Sequence, residues 1–218
     1  MELKFIILCI FGVVSVVYLV TLTRKQSTLQ FILKGCLMPL LLVFYITSAG
    51  INNIYWPVVL ALFFAWVGDV LLIKITNIIC FKLGLASFLI GHICYIAAMY
   101  KYIQPLNILV LIISVVTAVC FGVIVYKTVK PGKQMQIPAI AYETVILAMA
   151  ICALQLFLSQ FIAQGHVFGL LVFAGSVCFI VSDTLLALRT FRNANFYLAV
   201  MITYITAQFL ITFGFCII

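Results

Sequence analysis

Residues Pro105–Tyr126 read PLNILVLIISVVTAVCFGVIVY, a run without a single charged side chain. A helix that crosses the hydrocarbon core of a bilayer needs about 20 mostly apolar residues, and this run is long enough. Seven further runs of similar length lie on either side of it, at Leu3–Leu22, Leu29–Ser48, Ile54–Lys74, Ile78–Tyr100, Pro138–Leu158, His166–Leu188 and Phe196–Cys216. The whole chain of 218 residues is 67% hydrophobic and only 7% charged. A soluble domain carries about 25% charged residues, and surface-to-volume scaling leaves no soluble fold of this length enough interior for so much apolar surface. A transmembrane β-barrel is excluded as well, because its strands alternate apolar and polar residues, whereas these runs are continuous.

The sequence therefore predicts an all-α, polytopic membrane helix bundle of about eight transmembrane helices. Residues 1–218 are expected to form one transmembrane domain. With short connections, consecutive helices pack antiparallel. The first run has the look of a signal sequence, but its length and the lack of an A-x-A-like cleavage site favour a retained span. The eight cysteines are scattered, mostly within the runs, with no CxxC and no Cys/His cluster. They are expected to pack as small apolar residues and to form no disulfides.

The formal net charge is +8, and its distribution matters more than its size. Arg24, Lys25, Lys74, Lys82, Lys127, Lys130, Lys133, Arg189 and Arg192 fall on one side of the expected membrane, against Lys4 and Lys101 on the other. Basic connections stay in the cytoplasm, so both termini are expected outside. The protein is expected to be a multi-pass integral protein of the cell (inner) membrane, or of the endoplasmic reticulum in a eukaryote. The bias also suits anionic lipid headgroups. No basic stripe with interleaved aromatics is present, so nucleic acid is not an expected partner. The oligomeric state is not legible.

The informative residues are those that do not belong in a membrane. Of four acids, Glu2 is terminal, while Asp69, Glu143 and Asp183 lie within runs, together with Lys34. An ionisable group inside a span faces the bundle interior or a wet cavity, and is a functional-site hypothesis by default. Counted at 1.5 Å per residue, all four stand roughly 7–8 Å inside the same expected cytoplasmic face, on four different helices. His92 is deeper, with Tyr95 three residues on and thus on its face. Tyr204 and Gln208 form an i, i+4 polar pair, and Tyr142 adjoins Glu143. Simpler roles compete for each of these. Lys34 could snorkel to the interface or bridge Glu143, His92 could serve as an interhelical hydrogen-bonder, and His166 belongs at the outer interface.

Asp69 sits in AWVGDVLLIK (Ala65–Lys74) and Asp183 in FIVSDTLLALR (Phe179–Arg189). Each has a small residue, then Asp, then x-Leu-Leu and a terminal base. A spacing of four spans preserves orientation, which suggests a 4+4 parallel internal repeat with halves 1–103 and 104–218. Gly68 and Ser182 would then allow close helix approach. Two carboxyls sharing a poorly solvated cavity would not both ionise readily, an arrangement suited to general acid and general base chemistry and equally to a proton relay.

Taken in order, LKGCLMPLLL (Leu33–Leu42), AWVGDVLLI (Ala65–Ile73), GLASFLIGHICYI (Gly84–Ile96), AYETVILAM (Ala141–Met149), GSVCFIVSDTLLAL (Gly175–Leu188) and TYITAQFLI (Thr203–Ile211) resemble the YhhN-like family, the lysoplasmalogenases, over nearly the whole chain. Lys-Gly-Cys at Lys34–Cys36 departs from an expected Lys-Pro, with Pro39 following later. The resemblance implies an eight-span hydrolase of lipid metabolism that cleaves the vinyl ether bond of lysoplasmalogens, single-chain ether lipids, to a fatty aldehyde and a glycerophospho-base. The substrate would be a lysophospholipid drawn from the bilayer. Asp69 and Asp183 would be acid and base in either order, with His92 beside them. Tyr95, Tyr142, Glu143, Ser182, Tyr204 and Gln208 would bind or orient, and Lys34 would tether the phosphate, with Lys74 and Arg189 as alternatives. No cofactor and no metal are expected, since a single deep His leaves a zinc set incomplete. No Gly-rich phosphate loop or GxSxG elbow is present. The alternative reading is a transporter of a lipid or small amphiphile that uses the same charges as a proton relay.

Overall fold

The structure, a computed structural model, describes residues 2–23, 28–74, 77–103 and 106–218. Arg24, Lys25 and Pro105 lie outside the described residues, as does the side chain of Lys74. The described residues form eight α-helices: α1 (Glu2–Thr21), α2 (Thr28–Ala49), α3 (Trp56–Leu71), α4 (Ile78–Tyr100), α5 (Ile108–Val129), α6 (Gln136–Leu156), α7 (Val167–Arg192) and α8 (Tyr197–Cys216). Seven of these are long and apolar enough to cross a membrane, which makes the chain a multi-pass integral membrane protein.

The exception is α3. Ile54–Lys74 was expected to be one continuous span, but its α-helical part has only 16 residues, about 24 Å at 1.5 Å each. Pro57 in the first turn fixes where the helix can begin, and after Leu71 the chain tightens into a 3-10 turn, Leu72–Lys74. The tighter turn rises about 2 Å per residue and recovers part of the missing length. Two other ends also move. α7 continues four residues beyond Leu188, through Arg192, and α6 opens into a π-helical stretch at Phe157–Ile162. Apolar runs report where the bilayer is, while backbone hydrogen bonds can carry a helix past it.

The chain forms two compact units, 1–94 and 95–218. In the first, α1 packs on α2 and α2 on α3. Leu37, Met38 and Leu41 of α2 and Val58, Ala61 and Leu62 of α3 are fully buried there. Polar groups stitch these helices together. Gln30 donates to the carbonyl of Thr21, Trp66 Nε1 to that of Gly35 (2.9 Å), and Ser87 Oγ of α4 to that of Phe64 (2.6 Å). α2 runs on through Pro39. α4 lies close on α3: a methyl group at Gly91 would stand 3.2 Å from the carbonyl oxygen of Ala61.

In the second unit α7 and α8 form the closest pair. Ser182 Oγ donates to the Val200 carbonyl (3.1 Å). A methyl group at Gly175 would stand 2.6 Å from Ile211 Cγ1 and 3.0 Å from the Ala207 carbonyl oxygen. Without a hydrophobic drive between helices in lipid, such close backbone approach supplies the packing energy. Gly175→Ala is therefore expected to destabilise the protein by about 1–3 kcal/mol, read as a lower melting temperature in detergent. Gly12→Ala, which meets nothing within 4 Å, serves as the control. At the far end of the unit Gln155 clasps the start of α5 by two hydrogen bonds of 3.1 Å, one to the amide and one to the carbonyl of Asn107.

Candidate active site

In the first unit Lys34 and Asp69 form a buried ion pair. Lys34 Nζ stands 3.4 Å from Asp69 Oδ1, and their side chains are 9% and 3% exposed. Lys34 lies two turns into α2 and Asp69 at the last turn of α3, so the antiparallel pairing of these helices sets the two at matching heights. Gly68, next to Asp69, is pressed against the Phe88 ring, where a methyl group would stand 2.6 Å from Cε2. This close contact anchors the carboxylate-bearing turn to α4. His92 is buried on α4.

The second unit repeats the pattern with different chemistry. Asp183 of α7, half-buried, accepts a 2.6 Å hydrogen bond at Oδ2 from the phenol of Tyr142 on α6. That is at the short end of the range for an O–H···O bond. In each unit, then, an Asp is held by a polar side chain from the preceding helix, Asp69 of α3 by Lys34 of α2 and Asp183 of α7 by Tyr142 of α6. Ser182, beside Asp183, has its hydroxyl committed to the α8 backbone.

Tyr95 and Gln208 are both buried, and the Tyr95 hydroxyl donates to Gln208 Oε1 at 2.6 Å. Gln208 was expected to pair with Tyr204 along α8. Its partner is instead Tyr95, while the Tyr204 ring packs edge-on against Phe179, 5.9 Å between centroids. Phe179 in turn meets Tyr95 at 6.4 Å.

Within the second unit, Glu143 faces a different helix from Tyr142. Successive helical residues point about 100° apart, so Tyr142 faces α7 while Glu143 turns to α5. It lies beside Gly122 of α5, where a methyl group would be 3.6 Å from Glu143 Oε1. That oxygen is buried with no hydrogen-bond partner among the described residues. The alternative reading in which Lys34 bridges Glu143 gives way to the Lys34–Asp69 pair. Asp183 was expected five residues from the end of its span and stands nine from the end of α7, because the helix overruns. Arg189 is stacked over the Tyr197 ring at 4.0 Å, and Arg192 Nε donates to the Thr128 carbonyl at the end of α5 (2.9 Å). His166 is exposed at the start of α7, its Nδ1 3.0 Å from Gln160 Oε1.

The YhhN family model matches residues 29–215, which takes in α2 through α8. The chain belongs to the YhhN family. No curated protein and no solved structure matches it. Both Asp residues and every side chain described with them fall inside the YhhN match, and α1 falls outside it.

Sequence reasoning passed over the glutamines Gln30 and Gln155, each a polar residue in an apolar run, and Gln160 just beyond one. They bind backbone carbonyls of neighbouring segments. It also gave Tyr142 no partner. The signal was available in the spacing: Tyr142 sits near the start of α6 as Lys34 does near the start of α2.

Proposed function

We propose that this YhhN protein hydrolyses the vinyl ether bond of lysoplasmalogens, releasing a fatty aldehyde and a glycerophospho-base. The observation that carries this reading is the unequal dressing of the two intramembrane carboxyls. Asp69 has an ammonium 3.4 Å away, and Asp183 has a neutral phenol at 2.6 Å.

Vinyl ether cleavage needs an acid and a carboxylate with separate tasks. Asp69, paired with a cation, is suited to remain a carboxylate. Asp183 can accept the Tyr142 proton at Oδ2 while carrying its own on Oδ1. In the proposed reaction Asp183 gives its proton to the β-carbon of the alkenyl group, and the double-bond electrons form the new C–H bond. The ether oxygen shares its lone pair to give an oxocarbenium ion. Asp69 stabilises that cation and takes a proton from the water that adds to it. The hemiacetal then collapses: its hydroxyl proton passes to Asp183, the C–O bond to glycerol breaks, and the departing oxygen takes the proton held by Asp69, which restores both carboxyls to their starting states. Atoms and charge balance with water as the only co-reactant. His92, Tyr95, Tyr204 and Gln208 are assigned to orienting roles. With Lys34 engaged by Asp69, the phosphate is assigned to Arg189.

Release of aldehyde from detergent-purified protein tests the reaction, since a carrier breaks no bond. Tyr142→Phe should slow aldehyde formation by about 10–100-fold, the equivalent of one hydrogen bond to a charged partner, with the melting temperature little changed. An unaltered rate would remove Tyr142 and its contact from the mechanism.

A further inference from the structure

Between α5 and α6, wholly within the second unit, runs a groove of about 600 Å³. Its walls are apolar: Val115, Val119 and Val123 on one side, Leu147, Ala148 and Ile151 on the other. The only polar groups gather at one end, where α5 finishes and α6 begins. They are Tyr126 and Lys127 on α5 and Glu143 and Thr144 on α6. The Thr144 hydroxyl donates back to the Ile140 carbonyl at 2.8 Å. Glu143 Oε1 is buried without a hydrogen-bond partner among the described residues. A buried oxygen in that state is costly unless a donor meets it.

From Val115 to Lys127 the groove is about 18 Å long, the reach of one ordinary lipid chain. Its volume suits a single bound ligand, with one chain between the helices. Lys127 is exposed at the mouth, and Gly122, beside Glu143, lies about 7 Å deeper. A phosphate at Lys127 therefore places an adjoining glycerol unit over Glu143. We propose that the α5–α6 groove is a binding site for a single-chain phospholipid, its phosphate on Lys127 and its free glycerol hydroxyl donating to the Glu143 carboxylate. A diacyl lipid fails because its glycerol backbone has no free hydroxyl. A fatty acid has the chain and the charge but lacks the hydroxyl. Neither Asp69, Asp183 nor His92 takes part, so binding here does not depend on the proposed reaction.

Photo-crosslinking in nanodiscs of diacyl phospholipid tests this with the full chain. The probe is an ester-linked lysophosphatidylethanolamine with a diazirine near the end of its acyl chain, which has no vinyl ether to cleave. Labelling is expected to concentrate on the Val115–Val119 and Ala148–Ile151 segments, and to be displaced by unlabelled lysophosphatidylethanolamine but not by palmitate. Glu143→Leu should reduce it about tenfold, while Glu143→Gln, which keeps an acceptor, should retain it. Val119→Trp, a lipid-facing change that fills the groove, should abolish it without loss of fold. Labelling spread evenly over the lipid-facing helices would overturn the proposal. So would equal displacement by palmitate, or undiminished labelling in both Glu143→Leu and Val119→Trp.

Discussion

Replacing Lys34 by alanine is expected to lower stability by about 3–5 kcal/mol. Lys34 and Asp69 are both almost wholly buried, and removing the ammonium leaves the carboxylate without its compensating charge on the last turn of α3. That turn also carries Gly68, wedged against Phe88, so disturbance there spreads into the α3–α4 contact. The pair is not expected to be a net source of stability. Taking two ions out of water costs about as much as their attraction returns, and a well-packed apolar pair of similar volume is often neutral or better. Lys34→Met combined with Asp69→Leu should therefore recover most of the loss seen in Lys34→Ala while remaining inactive. Thermal melting in detergent measures the first half of this statement and aldehyde release the second. If Lys34→Ala melts like the native protein, the ion pair has no structural weight. If the double variant stays as unstable as the single one, the ion pair is a net source of stability after all.

The second large effect concerns the carboxyls themselves. Asp183→Asn removes the proton donor and keeps the Tyr142 contact available, since an amide oxygen still accepts. Asp69→Asn keeps the size but removes the negative charge from beside Lys34. Each is expected to cut the rate of aldehyde formation by about 10²–10⁴-fold, the range for loss of a general acid or base. The two variants should differ in stability. Asp69→Asn strands a buried ammonium and should melt lower, whereas Asp183, half-buried and facing a neutral phenol, should tolerate the change. Equal stability in the two would mean that the carboxyls do not differ in environment as proposed.

The helices were legible in the sequence because charge is sparse within the long apolar runs. What could not be read was where each helix starts and stops. Ile54–Lys74 is apolar apart from Asp69 and its terminal Lys74, yet Pro57 and the 3-10 turn at Leu72–Lys74 shorten α3 at both ends. Arg189 and Arg192 mark the end of an apolar run, but α7 continues through them as helix. Depth along a helix follows from counting. Direction around its axis does not, because it depends on which neighbour the face meets. That is why the unusual residues were found while their partners were not. Lys34 was weighed against Glu143 and meets Asp69. Gln208 was paired with Tyr204 and meets Tyr95. Tyr142 and Glu143, adjacent in sequence, face different helices, one toward Asp183 and one into the α5–α6 groove. The echo around Asp69 and Asp183 was visible as a sequence pattern. That a residue of the preceding helix holds each Asp was visible only in the fold.

The most direct test of the central claim is hydrolysis of a lysoplasmalogen in heavy water by purified protein, with the released aldehyde analysed by mass spectrometry. Protonation of the β-carbon by a solvent-exchanged Asp183 predicts aldehyde bearing solvent deuterium on the carbon next to the carbonyl, formed by the native protein and reduced at least about 100-fold in both Asp69→Asn and Asp183→Asn. No aldehyde from the native protein, or undiminished aldehyde from both variants, would contradict it.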